Sequence, residues 1–496
     1  MPFGERIHSF NNGIVTDDAL DFSKRSSFNK EIMLERIYPT RVIIPMKQHY
    51  GDEVIPTVGI GEHVLIGQCV GMPAPGTFAV PVHSGISGDV TDIKEITLPN
   101  GTTCKAVYIK SDRKRTFHPS VSPRNDVNIS ASSVMGIIKD AGIVGMGGEG
   151  IPTIAKINRA RMFKVNELLV NCLQSEPYAD SDFVRIDNSA DYIVMGAVAV
   201  AGAVGVSRIS FLISEDRKEE ILALQAAMER TAGRYSGYAF NFKFFRNRFP
   251  QGYYRLVAKA LYGVEISETE TLEETCSAVL FNCSTLYACW EAISDNMPLV
   301  ARVLTVTGEK GIRNNVIAPI GTPLSELMNT VNGMSDTQNL VIWGNCLTGL
   351  EAEDPDNTPV VKTTSGITIL PRKDIATMAC IHCGDCSDAC PMDMEPGLIH
   401  HLLKKGSVEE ADLEGARKCI SCGACSYICP SGIDLTKTIA SYAASKRTYT
   451  TRTHFSVDKI KLGAVSLLEA YEEEEKRGDS KKSDDIVLPF EGGKIV

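Results

Sequence analysis

The sequence lacks features that mark several common classes of protein. No stretch of the 496 residues reaches the roughly 18 apolar residues that cross a bilayer, and the richest run, 192–206, is short and rich in Gly and Ala. Acidic side chains (61) outnumber basic ones (51), and no local basic patch suits a nucleic-acid partner. The N-terminal residues show no basic segment followed by an apolar one, so we expect no secretory signal. We therefore expect a cytoplasmic chain with a buried helix at 192–206 and no nucleic-acid partner.

Cysteine is the residue type that the sequence does supply in a meaningful pattern. Of 15 cysteines, eight lie in CIHCGDCSDACP at 380–391 and CISCGACSYICP at 419–430, both of the form C-x2-C-x2-C-x3-C-P. In bacterial ferredoxins three thiolates of such a motif bind one cube and the fourth binds the other. The sequence predicts two [4Fe–4S] clusters with crossed ligands. The first site is Cys380, Cys383, Cys386 and Cys429, and the second is Cys419, Cys422, Cys425 and Cys390.

The residues between these cysteines also suit iron–sulfur cubes. Gly384 and Gly423 allow the backbone to turn close to sulfide, and Pro391 and Pro430 end the binding loops. Paired zinc knuckles are the alternative, but the repeated motif with its closing proline matches the ferredoxin pattern more closely. Two neighbouring cubes carry electrons and catalyse nothing themselves. The chain therefore needs another group that gives electrons to the clusters or takes electrons from them.

A glycine-rich segment, GIVGMGGEGIPTIAKI at 142–157, is the candidate for that centre. It contains G-x-G-x-x-G, but the preceding segment 132–141 is helical in pattern and the clearest strand, 167–170, follows the loop, which is the wrong order for a standard dinucleotide fold. No Walker lysine follows the glycines. Exposed backbone amides and a helix beginning near Pro152 and Thr153 would favour an anionic cofactor. A tight loop needed only for packing is the alternative.

Eight ordered segments together resemble a known family. They are IPMKQHYGDEVIPTVGIGEHVLIGQCVG, PVHSGISGDV, GMGGEGIPT with Lys156, NCLQSEPYADSD, FPQGYYRLV, NCSTLYACWEAI, VIAPIGTPLSEL and the twin cysteine motifs. This order resembles the C subunit of the Rnf ferredoxin:NAD oxidoreductase complex, which is related to the flavin-bearing NADH-oxidising subunit of respiratory complex I. The resemblance spans most of the chain.

The resemblance implies an electron-transfer oxidoreductase subunit that binds FMN, exchanges hydride with NAD(H) and relays electrons through two clusters. Its partners would be the membrane-embedded and ferredoxin-accepting subunits of an ion-translocating complex, with ferredoxin acting indirectly, and its place the cytoplasmic side of the cell membrane as a peripheral subunit. By the same resemblance, the flavin-binding residues are Gly145, Gly147, Gly148, Gly150, Lys156, Asn171, Glu176, Tyr178, Asn282 and Thr285.

The nucleotide cleft departs from the family pattern. The family's GGAGFPT loop offers a phenylalanine for stacking, whereas this chain has Glu149 and Ile151 in the changed positions. The family's Gly-Gly-Glu after Pro-Gln is here Gly252-Tyr253-Tyr254, and Tyr253 offers a substitute stacking face. The acceptor can therefore be NAD(H) or another molecule. A soluble relative that feeds a cobalamin or amino-acid reductase, and a scaffolding subunit with a decayed flavin site, stay open as alternatives.

The expected fold class is α/β multidomain. Short alternating runs predict an N-terminal β-sandwich or barrel hybrid, and alternating helix and strand patterns predict the α/β layer that the resemblance makes a Rossmann-like FMN domain. The resemblance adds a β-grasp (SLBB-like) domain and an all-α ferredoxin-like domain with two clusters. The expected boundaries are 1–40 (N-terminal arm), 41–125 (β-sandwich hybrid), 126–300 (FMN/NAD-binding α/β), 301–369 (β-grasp), 370–446 (two-cluster helical domain) and 447–496 (helix and charged tail).

Overall fold

A computed structural model describes most of the chain. The described residues are 6–15, 34–124, 129–233, 235–267, 270–309, 313–328, 330, 339–372 and 376–450, with side chains to 445. The amphipathic helix expected at 457–471 and the charged residues after it lie outside them.

The two N-terminal strands join sheets that are built mainly from later residues. Strand β1 (Ile7–His8) pairs in parallel with residues 244–245, and strand β2 (Glu35–Arg36) pairs in parallel with residues 316–317. The segment expected as an N-terminal arm therefore packs along two separate parts of its own chain.

The next seven strands form two small antiparallel sheets that enclose one core. They are β3 (Arg41–Pro45), β4 (Ile55–Pro56), β5 (His63–Val64), β6 (Cys69–Met72), β7 (Val82–His83), β8 (Gly88–Thr97) and β9 (Thr103–Ser111). One sheet has the order β3-β9-β8-β5 and the other β4-β6-β7. Val42, Ile44, Val107 and Ile109 fill the space between them and are fully buried. The sequence PVHSGISG predicts a tight turn at His83, whereas in the structure His83 ends strand β7 and is buried.

A parallel five-stranded sheet with helices follows. Its elements are α1 (Ala131–Asp140), α2 (Thr153–Met162), β10 (Glu167–Asn171), α3 (Ser181–Val204), β11 (Arg208–Ser214), α4 (Lys218–Ala232), β12 (Ala239–Phe245), α5 (Tyr254–Tyr262), α6 (Leu272–Cys276), β13 (Ala278–Asn282) and α7 (Cys283–Asp295). The strand order is β1-β12-β11-β10-β13, and every pairing is parallel.

Helix α3 is the buried helix that the apolar run predicts. Its residues from Ile193 to Ala203 are almost entirely buried, so the helix is apolar on all sides, as a helix inside a core must be. A Cβ on Gly196 would overlap the backbone oxygen of Leu286 in helix α7. Glycine at 196 therefore allows α3 and α7 to pack with their backbones in direct contact.

A mixed six-stranded sheet comes next along the chain. It contains β14 (Ala301–Thr307), β15 (Arg313–Pro319), β16 (Asn339–Trp343), β17 (Leu350–Glu351) and β18 (Gly366–Pro371), with the short helix α8 (Leu324–Met328) between β15 and β16. The order is β17-β16-β18-β14-β15-β2. Leu304, Val316, Leu327 and Ile367 are fully buried in its core. We refer to residues 301–371 as the sheet domain.

The last described part is helical and repeats itself. It contains α9 (Asp385–Asp388), α10 (Pro396–Lys405), α11 (Val408–Leu413), α12 (Ala424–Ile428) and α13 (Leu435–Thr450). Gly384 precedes α9 and Gly423 precedes α12, with φ of 88° and 81°, a conformation that glycine adopts without strain. Each cysteine motif thus leads through a left-handed glycine into a short helix and then into a longer one.

Candidate functional site

Two asparagines lie side by side where neighbouring parallel strands end. Asn171 ends β10 and Asn282 ends β13, and the two are partners in register. Asn171 Nδ2 donates to Gly252 O at 3.0 Å, while Asn282 Nδ2 donates to Asp182 Oδ2 at 2.7 Å. Open α/β sheets bind ligands at the carboxyl ends of their strands.

The glycine-rich loop closes over this edge. Gly145 N donates to Ile151 O at 2.8 Å, so the loop turns back on itself. Met146 N donates to Thr285 Oγ1 at 2.9 Å, and the buried Arg302 donates through Nη2 to Met146 O at 3.1 Å. Hydrogen bonds at Met146 therefore fasten the loop to Thr285 of helix α7 and to Arg302 of the sheet domain.

Loop and strand ends line one cavity of about 400 Å³, which we call the central cavity. This volume lies in the range of small-molecule and cofactor sites. Of the residues predicted to bind flavin, those that line it are Gly145, Gly147, Gly148, Lys156, Asn171, Glu176, Asn282 and Thr285. The fold therefore brings eight of the predicted residues, from three segments of the sequence, to one place.

Two of the predicted residues do not line the central cavity. Gly150 has φ of 66° and packs closely against Thr363, since an added Cβ would lie 2.9 Å from Thr363 Cγ2. Tyr178 also has a positive φ, of 64°, and its ring faces the guanidinium of Arg313, 5.9 Å from the ring centroid. Both positions set the course of the backbone around the cavity. Their direct roles in cofactor binding stay predictions.

An orphaned hydroxyl shows that the central cavity suits a phosphorylated cofactor. Thr153 is the first residue of helix α2, is 1% exposed and lines the cavity, yet its Oγ1 has no hydrogen-bond partner among the described residues. The N-terminus of a helix favours anions through its dipole and its free N–H groups. Gly147 and Gly148 also line the cavity and add no side chain to it. These residues fit FMN.

Lys156 supplies a positive charge to the same cavity. It lies in the first turn of helix α2 and is partly buried, with its Nζ 5.3 Å from the ring centroid of Phe281. Burial lowers its pKa, and the carboxylates of Glu149 and Glu273 partly oppose that shift. An anionic group in the cavity would favour the charged form of this lysine further.

The carboxylate of Glu176 points at the sheet domain. It accepts hydrogen bonds from Leu347 N at 3.0 Å, from Thr348 N at 3.3 Å and from the Thr348 hydroxyl. Burial raises the pKa of Glu176, and these hydrogen bonds partly offset the shift. The segment 343–350, which we call the cap segment, is thereby fastened over the central cavity.

The second predicted cluster site forms a small cavity of its own. Cys390, Cys419, Cys422 and Cys425 line it together, although Cys390 belongs to the first motif. Burial raises the pKa of Cys422, and the neighbouring thiols of Cys425, Cys390 and Cys419 add to the shift. Ser421 N donates to Cys419 Sγ at 3.4 Å, an N–H···S contact of the kind that tunes iron–sulfur clusters. This donor set fits a cube.

The first predicted cluster site lies nearer the surface. Cys380 and Cys383 are exposed, and Cys386 and Cys429 are partly buried. Met378 N donates to Ser431 O at 2.9 Å and Ser431 Oγ donates to Ala379 O at 3.0 Å, which brings the start of the first motif next to the end of the second. Among the described residues no three His, Cys, Asp or Glu side chains converge on a point suited to a single metal ion.

The second cluster site and the central cavity are adjacent. Cys422 and Ile420 line both. Leu347 of the cap segment and Cys422 pack against the same small apolar cluster, and the carbonyl oxygen of Leu347 lies so close to Gly423 that a Cβ there would be 2.5 Å away. Cys422 therefore lies between the central cavity and the second predicted cluster site.

Several lining residues were missed in the sequence. They are Thr153, Tyr254, Trp343, Asn345, Thr348, Thr363, Thr364, Ser365 and Ile420. Most come from the sheet domain, which shows no cofactor motif. For Thr153 a signal was present, because it lies at the predicted start of helix α2 and the N-terminus of a helix favours anions.

Comparison with protein families finds matches for three regions of the chain. Residues 8–114 match the RnfC Barrel sandwich hybrid domain, residues 138–291 the Nuo51 FMN-binding domain and residues 373–430 the 4Fe-4S dicluster domain. The chain is 32% identical over 384 residues to the C subunit of the Na(+)-translocating ferredoxin:NAD(+) oxidoreductase complex of Acetobacterium woodii, covering 76% of this chain and 84% of that one. The chain belongs to the RnfC family.

Two further RnfC relatives and one solved structure are similar to the chain. Identity is 29% over 414 residues with the C subunit of the proton-translocating ferredoxin:NAD(+) oxidoreductase complex of Clostridium ljungdahlii, covering 82% of this chain and 87% of that one. It is 30% over 387 residues with the C subunit of the ion-translocating oxidoreductase complex of Rhodobacter capsulatus, covering 77% and 72%. A solved NAD+-reducing [NiFe]-hydrogenase chain is similar at a TM-score of 0.47 and 15% identity, over 76% of this chain and 70% of that one.

The RnfC family assignment confirms the resemblance and the coarse fold. The chain is a mixed α/β protein with a barrel-sandwich domain, an FMN-binding domain and a dicluster domain. Its cofactors are FMN and two iron–sulfur clusters. No helix in the described part of the chain has the length and apolar character needed to span a membrane.

Proposed function

We propose that this chain is the electron-transfer subunit of an Rnf-type complex that connects ferredoxin with NAD(H). The observation that carries the proposal is the adjacency of the two sites: Cys422 and Ile420 line both the central cavity and the second cluster site. A relay requires its centres to lie close together, and a cysteine shared by the two cavities supports such an arrangement. The relatives named above are subunits of ferredoxin:NAD(+) oxidoreductase complexes, which supports the same assignment.

The residues of the central cavity would hold FMN. Thr153 and the N-terminus of helix α2 would receive the phosphate, and Lys156 would neutralise its charge. Asn171 and Asn282 offer fixed amide groups at the strand ends. When bound, FMN exchanges hydride with a nicotinamide and passes electrons singly to the cubes, chemistry that no side chain supplies. The protein's own part is to bind, orient and enclose these groups.

The exposure of the cysteines supports an order for the relay. The site of Cys390, Cys419, Cys422 and Cys425 is enclosed and adjoins the central cavity, while Cys380 and Cys383 lie exposed at the other site. The site with the exposed cysteines would exchange electrons with a partner, and the enclosed site would exchange them with the flavin. Burial of the inner site limits side reactions with solvent.

The cavity residues around Tyr253 suit the binding of a planar ring. Glu149 and Ile151 replace the family's small residue and phenylalanine in the loop, and Tyr253 lines the cavity beside them. The rings of Tyr253 and Tyr254 contact each other with centroids 4.9 Å apart. We assign Tyr253 as a stacking face for the nicotinamide nucleotide, in place of the family's phenylalanine.

The setting of the subunit follows from its relatives. We place it on the cytoplasmic side of the cell membrane as a peripheral subunit, next to membrane-embedded and ferredoxin-accepting subunits, because its relatives are named as parts of ion-translocating complexes. We assign the sheet domain to the β-grasp (SLBB-like) class, with its mixed sheet and the short helix α8 as support.

Cofactor analysis after anaerobic purification tests the proposal. We expect about eight irons per chain, as two cubes require, and one releasable FMN. Zinc in place of iron, or protein without flavin after anaerobic reconstitution with FMN, would overturn it. Thr153→Val and Lys156→Gln should each lower FMN occupancy and leave the iron content unchanged, because neither residue lies at a cluster site.

A further inference from the structure

Trp343 occupies a place in the central cavity that the flavin and cluster assignments do not use. It is one of two tryptophans in the chain, ends strand β16 and lines the cavity at the start of the cap segment. The other, Trp290, is 6% exposed in the core beneath the parallel sheet. We propose that Trp343 is a stacking platform for a planar ring of the dinucleotide that exchanges hydride with the flavin.

The ring of Trp343 is fixed before any ligand binds. Its Nε1 donates to Pro359 O at 3.0 Å, so its one polar group is satisfied within the sheet domain. Across the sheet, Trp343 pairs with Leu350 on one side and with Ile367 on the other. An indole whose N–H is already bonded can offer a ligand only its apolar face. A face held in one orientation binds a flat ring with little loss of side-chain entropy.

The cap segment is also held in place. Two glycines make its turn possible: Gly344 has φ of 117°, and a Cβ on Gly349 would lie 2.4 Å from Ile342 Cγ2. Glu176 anchors the far side of the turn at Leu347 and Thr348. Trp343 therefore stands on a segment fastened both to its own sheet and to the flavin half of the chain.

Trp343 and Tyr253 flank the same loop. Asn171, at one end of the 171–176 loop, holds Gly252 and thus the turn that carries Tyr253. Glu176, at the other end, holds the cap segment that carries Trp343. Two aromatic residues thus border the central cavity on either side of the loop that follows strand β10. A dinucleotide has two planar rings, and the cavity supplies an aromatic face near each end of this loop.

The inference rests on the proposed function, because it takes NAD(H) as the dinucleotide. Its distinct content is that the sheet domain, and not only the flavin domain, contacts that ligand. The loss of one stacked ring corresponds to about a tenfold or larger fall in affinity. The effect should appear in the KM for NADH and not in the content of FMN.

Tryptophan fluorescence gives a test that does not depend on turnover. In full-length Trp290→Phe protein loaded with FMN and clusters, Trp343 is the sole tryptophan, and we expect NAD+ to quench its emission saturably. In Trp343→Ala the KM for NADH should rise about tenfold while flavin content and the rate at saturating NADH stay within about twofold. Trp343→Phe should recover most of the affinity, since it keeps an aromatic face.

The possible results distinguish a failure of the stacking role of Trp343 from a failure of the proposed function. If NADH bleaches the flavin but NAD+ leaves Trp343 emission unchanged, or if Trp343→Ala keeps the original KM, the stacking role is wrong and the proposed function stands. If NADH does not bleach the flavin of the unaltered protein, the choice of NAD(H) is wrong and the inference falls with it.

Discussion

The carboxylate of Glu176 accepts a hydrogen bond from Leu347 N at 3.0 Å, and this contact joins the flavin half of the chain to the sheet domain. We expect Glu176→Leu to loosen the cap segment, because it removes the acceptor and leaves two backbone donors, Leu347 N and Thr348 N, without a partner. A buried donor left unmatched costs about 1–3 kcal/mol. FMN should therefore dissociate about tenfold more readily, which flavin fluorescence on release would measure.

Thr348→Val is the matched control for Glu176→Leu. It removes the threonine hydroxyl but leaves both backbone N–H donors on the carboxylate. Its effect on FMN release should be clearly smaller. Equal flavin retention in Glu176→Leu and in the unaltered protein would show that the cap segment is not held by this carboxylate.

The crossed ligation of the two cubes predicts a pattern of damage. Cys390→Ser should alter the cluster held by the second motif, because Cys390 lines that site, whereas Cys386→Ser should alter the cluster of its own motif. Electron paramagnetic resonance of the reduced proteins would resolve the two signals. If both substitutions change the same signal, the crossing is wrong.

The positive φ of Gly150 predicts that this position requires glycine. Its φ is 66°, and a Cβ would meet Thr363 Cγ2 at 2.9 Å, so Gly150→Ala should destabilise the loop by about 1–3 kcal/mol. Gly136→Ala is the control, since a Cβ in the middle of helix α1 meets nothing within 4 Å and alanine favours a helix. Thermal unfolding should separate the two variants, with the Gly136→Ala midpoint unchanged or slightly raised. Equal destabilisation would refute the explanation.

Two buried histidines make the fold sensitive to acid. Burial, together with the nearby charge of Lys362, lowers the pKa of His49 and of His83 to about 3. Val80 N donates to His49 Nε2 at 3.3 Å, so His49 carries its proton on Nδ1 when neutral. Between pH 6.5 and pH 3 these histidines bind protons in the unfolded chain but stay neutral in the folded chain. The stability that they contribute above pH 6.5 is therefore lost as the pH falls towards 3.

Each histidine should cost about 2 kcal/mol of stability between pH 7 and pH 5. Denaturant unfolding at the two pH values, with cluster absorbance checked at the start, would measure this loss. His83→Gln should remove its share of the pH dependence, whatever it does to stability at pH 7. A variant whose pH dependence matches that of the unaltered protein would contradict the explanation.

Local sequence patterns were enough to find the centres of the site. The cysteine spacing, the glycine-rich loop and the start of helix α2 at Thr153 are all short-range features, and the structure has that helix where the sequence predicts it. The apolar run at 192–206 likewise predicted the buried part of helix α3. Such features depend on residues within a few positions of each other, so a single sequence shows them.

The parts that were missed depend on contacts between distant segments. Trp343 and Glu176 are 167 positions apart, yet they border the same cavity because the cap segment folds back onto the 171–176 loop. Strands β1 and β2 each pair with a strand that comes more than 200 residues later. His83 looked like a turn residue within PVHSGISG but pairs with Cys69 in a strand. No periodicity in the sequence reports such pairings.

Anaerobic mixing with NADH, while flavin and cluster absorbance are followed, tests the central claim most directly. If the central cavity holds FMN next to the cluster site of Cys422, NADH should bleach the flavin absorbance first and the cluster absorbance after it. Cys422→Ser, which disturbs the adjoining site, should leave flavin bleaching intact and slow or abolish bleaching of the clusters. Flavin that NADH leaves oxidised, in protein that dithionite reduces fully, would contradict the account.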